Sequence, residues 1–312
     1  HTDISEETRK RVLRRAEELN YRVDPVARSL VTGKSFLVGL VVPDLMQSFF
    51  AEIATAVAGT LAPAGYHVVI SHTMEDANEE IANLQLLSAR KVDGFIIASA
   101  QRDGRLLRKL SAPYVLIDRK PAGIDTDYVG AQNEQIGLLA TEHMIEQGYR
   151  RIAHLRGPQQ SASLGRAAGY RKALKRHKLA VRDEWLIQAG HDDAGGAEAM
   201  KKLLTLLTRP DAVFCFNDPV AIGAMRTILQ AGLRVPQDVG LIGVANMHYS
   251  DMVTVPLSTI DQGAAETGQQ AAQTLLDRMT GGKDPARKTV LIPPRLLVRE
   301  SSRRGPADPA DR

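Results

Sequence analysis

FLVGLVVPD, residues 36–44, is an unbroken apolar run of the kind shown by a strand buried on both faces in a parallel sheet. The stretch after it puts Phe50, Ile53, Val57 and Leu61 on one side of a helix. YHVVIS, DGFIIAS and PYVLID repeat the strand pattern, with helical stretches such as EEIANLQLLSARK between them. A second series begins after Val129: RIAHLRG, EWLIQAG, DAVFCFND and VGLIGVA alternate with helices expected around 133–147, 165–177, 195–207 and 219–231. A further helix is expected over 263–280, followed by the strands KTVLIP and RLLVRES. Parallel strands need crossover helices, so the alternation predicts an α/β chain of two doubly wound parallel-sheet lobes.

At 312 residues and 44% hydrophobic content, the chain can bury two large cores and a small appendage. A net charge of +4 with pI near 9.2 is mildly basic and supports nucleic-acid contact only weakly. Cys215, the sole cysteine, sits in the apolar run AVFCF; that excludes an internal disulfide framework and suits a reducing, cytoplasmic compartment. No stretch approaches the roughly 20 apolar residues of a membrane helix, and residues 1–20 carry no signal-peptide core.

Residues 3–33 read differently. Ser5 is placed to cap a helix whose first turn carries Glu6 and Glu7. Val12, Ala16 and Leu19 fall on one face with Leu13 beside them, while Arg9, Lys10, Arg11, Arg14 and Arg15 occupy much of the rest. Glu6 with Lys10 and Glu7 with Arg11 are spaced for helical ion pairs, so taken alone this reads first as a solvated surface helix. Asp24 as cap, Pro25 at the first helical position and Gly33 as stop then define a second helix over Val26–Thr32. A helix so short is marginal in water and needs a partner.

This run, DISEETRKRVLRRAEELNYRVDPVARSLVTG, resembles the lactose repressor and purine repressor (LacI/GalR) family of bacterial transcription regulators. TRPDAVFCFNDPVAIGAM, GLRVPQDVGLIG, PLSTIDQ and IPPRLLVRESS match the family as well, so the resemblance covers about residues 3–302. It implies a periplasmic-binding-protein-like pair of lobes joined to a hinge helix that orders on operator DNA, pairs with that of a second protomer, and levers Leu30 into the minor groove. Val26, Ala27, Arg28 and Ser29 complete the implied hinge contacts. Val23 stands where the family usually has proline, and Asp24 with Pro25 replaces asparagine and its successor, bringing a negative charge near phosphates. The base-reading helix-turn-helix is expected upstream of His1.

The resemblance further implies that the chain recrosses between lobes. Residues 1–34 would hold the end of the DNA-binding domain and the hinge, 35–130 with 263–292 one lobe, 131–262 with 293–302 the other, and 303–312 a disordered tail. The function expected is a homodimeric, ligand-responsive repressor on a pseudopalindromic operator, taking a small sugar or sugar acid as effector, with a purine as the alternative. A periplasmic-type solute-binding protein is the rival reading. The chain shows no phosphate-loop, zinc-helix or nucleophile-elbow motif, and catalysis, metal and cofactor are not expected.

Ligands of open parallel sheets bind beyond the carboxyl ends of the strands, so residues there are the effector candidates. Phe49 and Phe50 follow the first strand, as a pocket aromatic and a core residue, Phe49 the better placed for ligand. Asp118 ends PYVLID and offers a carboxylate to two hydroxyls, or caps a turn. Arg166 in GRAAGY matches the family's ligand-contacting arginine, and its planar fork gives directional donors. Asp218 in NDPVAIGAM matches an aspartate that the resemblance sends to ligand; its alternative is a helix N-cap over Pro219. His191 follows EWLIQAG, as pocket residue or plain loop residue. Where relatives read GYDD or GFDN, this chain has Gly243, Val244, Ala245 and Asn246, leaving Asn246 as the polar candidate.

Overall fold

The computed structural model describes residues 5–19, 29, 31–281 and 286–304. Helix α1 (Glu6–Glu18) begins at Ser5, whose hydroxyl accepts from the Thr8 amide at 3.2 Å. It buries no residue: Val12, Leu13 and Leu19 are all exposed. Ser29, Val31 and Thr32 are helical; Val26, Ala27, Arg28 and Leu30 of the expected hinge lie outside the described residues, as do 305–312 of the tail.

The chain enters the main body through a clamp. The Asp93 carboxylate accepts hydrogen bonds from the Ser35 amide (2.9 Å), the Ser35 hydroxyl (2.9 Å) and the Phe36 amide (3.0 Å). The first lobe then runs β1 (Leu37–Val42), α2 (Ser48–Leu61), β2 (His67–His72), α3 (Ala77–Ala89), β3 (Gly94–Ile97), β4 (Tyr114–Ile117) and β5 (Asp127–Ala131). The second follows as α4 (Asn133–Glu146), β6 (Ile152–Arg156), α5 (Ser161–Arg176), β7 (Leu186–Gln188), α6 (Asp193–Leu204), β8 (Ala212–Cys215), α7 (Asp218–Gln230), β9 (Gly240–Val244) and β10 (Ser258–Asp261). The chain returns with α8 (Ala264–Thr280), β11 (Thr289–Ile292) and β12 (Arg295–Leu297).

Two six-stranded sheets result, ordered β11-β5-β4-β3-β1-β2 and β12-β10-β9-β8-β6-β7. The first is parallel throughout; in the second only the edge strand β12 runs antiparallel, with Thr259 opposite Leu297. The return is locked by chemistry: Arg278 near the end of α8 grips the buried Asp127 at the start of β5 through Nε (2.6 Å) and Nη2 (2.8 Å). The Lys288 amide leading into β11 adds a third bond to the same carboxylate at 2.8 Å. Thus α8 and β11 pack with the first sheet and β12 pairs in the second, so three segments cross between the lobes.

The expected face of α2 is buried at Phe50, Ile53, Val57 and Leu61, and it packs against α8. In the second lobe α4 and α5 approach backbone to backbone: a Cβ on Gly137 would fall on the Arg166 carbonyl, and one on Gly169 on that of Glu134. This close crossing presses the start of α5, and Arg166 with it, toward the strand ends. Helix α5 begins four residues before the expected start, at Ser161 rather than 165, because the turn after β6 is short.

Candidate functional site

The carboxyl ends of β1 and β4 face those of β8, β9 and β10 across a narrow cleft. From the first lobe it is lined by Gln47, Phe49, Phe50, Asp118 and Arg119. The second contributes Arg166, Phe216, Asn217, Pro219, Ala245, Met247 and Gln262. Both phenylalanines serve core and cleft together: they meet edge to face at 5.1 Å, are almost fully buried, and line the opening.

Arg166 forms much of the floor. Its guanidinium donates to Asn133 Oδ1 (3.0 Å), the Phe216 carbonyl (2.5 Å) and Gln262 Oε1 (2.5 Å), and it lies 4.6 Å over the Phe216 ring. These three acceptors are neutral, and burial pulls its pKa down to about 10, with Asp118 pulling the other way. A buried cation so placed favours electron-rich oxygens of hydroxyl or carboxylate groups.

Asp118 sits just past β4 at φ +58°, a left-handed backbone uncommon outside glycine but tolerated by aspartate. Its Oδ2 lies 3.3 Å from Arg119 Nε. Arg119 in turn forms a two-pronged ion pair with Glu75, Nη1 to Oε2 at 2.6 Å and Nη2 to Oε1 at 2.7 Å. Burial pushes the Glu75 carboxyl up, but the hydrogen bonds and charge of Arg119, with the nearby His191 and the amide of Gln160, outweigh it and hold Glu75 below the usual carboxylate range. Gln160 belongs to the second lobe, so this cluster ties the lobes across the cleft at 3.4 Å. The Lys120 amide to Ser161 Oγ, 3.0 Å, is a second tie.

Asp218 lies beneath the cleft wall and does not line it. It is fully buried; Oδ1 accepts from Thr259 Oγ1 (2.6 Å), and Oδ2 from the Met247 amide (2.9 Å) and Ser250 Oγ (2.7 Å). Burial raises its pKa, against those three bonds. Its alternative role as helix cap is filled by Asn217, whose side chain accepts from the Val220 amide at 3.0 Å. Asp218 instead holds the loop after β9, where Ala245 (φ +121°) and Asn246 (φ +52°) carry strained backbone. A Cβ at Gly243 would collide with Asp218 Oδ1, which explains the glycine there.

Asn246 is also turned away from the cleft: its Oδ1 accepts from Arg299 Nη2 at 2.9 Å, while Ala245 and Met247 on either side line the cleft. His191 is half-buried and lines an outer cavity at the cleft mouth with Asp44, Met46 and Tyr249. Asn217, Gln262, Phe216, Gln47 and Arg119 were not expected from the sequence. Asn217 and Gln262 stand just beyond β8 and β10, the same strand-end position that singled out Asp118. Among the described residues no group of three acidic, histidine or cysteine side chains is disposed to hold a metal ion, and no helix is long and apolar enough to cross a membrane.

Residues 141–302 match the model of a periplasmic binding protein-like domain. Over 303 residues, 96% of this chain and 90% of the relative, the chain is 34% identical to the HTH-type transcriptional repressor PurR of Mannheimia succiniciproducens. It is 34% identical to the ribose operon repressor of Haemophilus influenzae over a similar share, 96% of this chain and 90% of that one. The chain belongs to the LacI family of transcriptional regulators. Among solved structures, this LacI-family chain is similar to the transcriptional regulator CelR in its cellobiose complex, with TM-score 0.80, 29% identity, and coverage of 96% of this chain and 92% of that one. It is likewise similar to a LacI family transcriptional regulator from Mycobacterium smegmatis, with TM-score 0.77, 28% identity, and coverage of 85% and 98%. The two-lobed α/β architecture is that of LacI-family regulators, and the repressor reading stands over the solute-binding one.

Proposed function

We propose that this repressor is a cytoplasmic homodimer whose interlobe cleft takes a small sugar or sugar acid and thereby sets the spacing of paired hinge helices on a pseudopalindromic operator. The observation that carries the effector class is the set of Arg166, Asn217, Gln262 and Asp118 converging beside Phe49. Donors and acceptors around an aromatic suit a polyhydroxylated ring, and one similar solved structure, the transcriptional regulator CelR, is a complex with cellobiose. The lobes divide as 35–130 with 263–292 and 131–262 with 293–302. Of the expected effector set, Phe49, Phe50, Asp118 and Arg166 touch the ligand, His191 meets its outer end, and Asp218 and Asn246 act by holding the wall.

Parting the lobes breaks the ties at Gln160–Glu75 and Lys120–Ser161, so a ligand that favours one pose shifts the balance between poses. The inner cavity is about 30 Å³, room for roughly two waters, so a sugar-sized ligand requires the lobes to part or Arg166 to swing. The linkage is reciprocal: operator must alter effector affinity by the factor with which effector alters operator affinity. Val26, Ala27, Arg28, Ser29 and Leu30 supply the hinge contacts to DNA, with no catalytic step, cofactor or metal in the cycle. A thermal-shift screen with monosaccharides, sugar acids, disaccharides and glycosides tests the effector class. A true effector at 100 times its Kd stabilises by about 2.7 kcal/mol, and that gain should vanish in Asp118→Ala; stabilisation by purines alone would overturn the reading.

A further inference from the structure

Next to the narrow inner cleft lies a wider space. A cavity of about 250 Å³ occupies the mouth and shares Gln47, Pro219 and Met247 with the inner cleft, so one ligand can occupy both. Half of its lining is apolar, Met46, Pro219, Ile222, Met247 and Tyr249, and the other half is polar, with Gln47 and His191 beside three carboxylates. Met46 is 87% exposed and Tyr249 43% exposed, large apolar groups left facing solvent on opposite lobes. Isolated exposed apolar residues need no explanation, but a concave set continuous with a binding cleft marks a contact surface.

The rim settles the polarity of the occupant. Three carboxylates, Asp44, Asp192 and Asp193, border the cavity, and each is engaged within the protein. Asp44 accepts from the Met46 amide (2.9 Å) and Gln47 Nε2 (3.3 Å), Asp192 from the Gly195 amide (2.7 Å), and Asp193 pairs with Arg226 at 3.0 Å. They leave a negative rim that disfavours an anionic group, while the exposed side chains of Met46 and Tyr249 offer apolar contact. We propose that the mouth is a second subsite for an uncharged aromatic or alkyl aglycone, so that the effector is a glycoside whose sugar enters the inner cleft and whose apolar end rests between Met46 and Tyr249. This rests on the sugar reading of the inner cleft.

Matched probes separate the two ideas. Calorimetry compares free glucose, galactose, xylose and ribose with their 4-nitrophenyl glycosides and with glucose disaccharides, on the intact chain and on a Met46→Ser/Tyr249→Ser variant. Both positions are exposed enough that the variant keeps its fold, which circular dichroism checks. For the sugar that binds, the aryl glycoside should bind roughly tenfold or more tightly than the free sugar through burial of the ring. In the double variant that advantage should collapse while free-sugar affinity stays unchanged. Equal binding of sugar and aryl glycoside, an advantage surviving in the variant, or preference for a disaccharide would overturn the apolar subsite and leave the cleft reading intact. Binding of no member would overturn both.

Discussion

Asp118 and Asp218 stand at comparable places, each just beyond a strand of a parallel sheet at the interlobe boundary, yet they serve different ends. Asp118 faces the cleft, with one ion-pair neighbour and strained backbone. Asp218 faces inward and accepts three hydrogen bonds from the loop after β9 and from β10. The same topological position therefore yields a cleft-facing group in one lobe and a loop anchor in the other, and what differs is the partner loop.

The largest expected effect breaks this comparison most directly. Asp218→Ala strands the Met247 amide and two hydroxyls in a buried site and should cost about 3 kcal/mol of stability in urea unfolding. Asp118→Ala leaves Arg119 held by Glu75 and should cost less than Asp218→Ala, while removing the effector response. Equal destabilisation by the two changes would refute the distinction.

Arg166→Lys comes next. A point charge cannot meet Asn133, Phe216 and Gln262 together, so effector affinity should fall by about tenfold or more with basal operator binding retained. Loss of operator binding instead would make Arg166 a fold residue only.

The smallest effect concerns the tie across the cleft. The folded-state pKa of Glu75 lies below its ordinary 4.5, so its contribution is present above that value and lost as pH falls through the folded value. Glu75→Gln should lower stability by about 1 kcal/mol at neutral pH, and the difference from the parent should shrink as pH drops below 4.5. A constant difference down to the acid limb would show that the Arg119 pair is not what holds the carboxyl down.

Helix α1 offers a second contrast with the lobes. Every other long helix buries a face against a sheet or a neighbouring helix, whereas Val12, Leu13 and Leu19 of α1 are exposed among the described residues. Its amphipathic pattern was legible because periodicity is local, but what covers the apolar face is not written in that periodicity.

The sequence by itself determined the strand and helix order, the two parallel-sheet lobes, and the rule that binding residues stand past strand ends, because these follow from apolar periodicity and the need for crossover helices. That rule placed Phe49 and Asp118 on the cleft and, applied consistently, would have reached Asn217 and Gln262, whereas Arg166 came from the family resemblance of GRAAGY. Only the tertiary structure decided that Asp218 and Asn246 turn inward, that Arg166 closes the floor, and that an apolar mouth opens beside it. The partners that decide Asp218 lie 29 to 41 residues away in the chain and those of Arg166 33 to 96 away. A side chain at a strand end has several directions open to it, and the direction is selected by whichever distant donors fold into reach, since a buried carboxylate left without them would be too costly to keep.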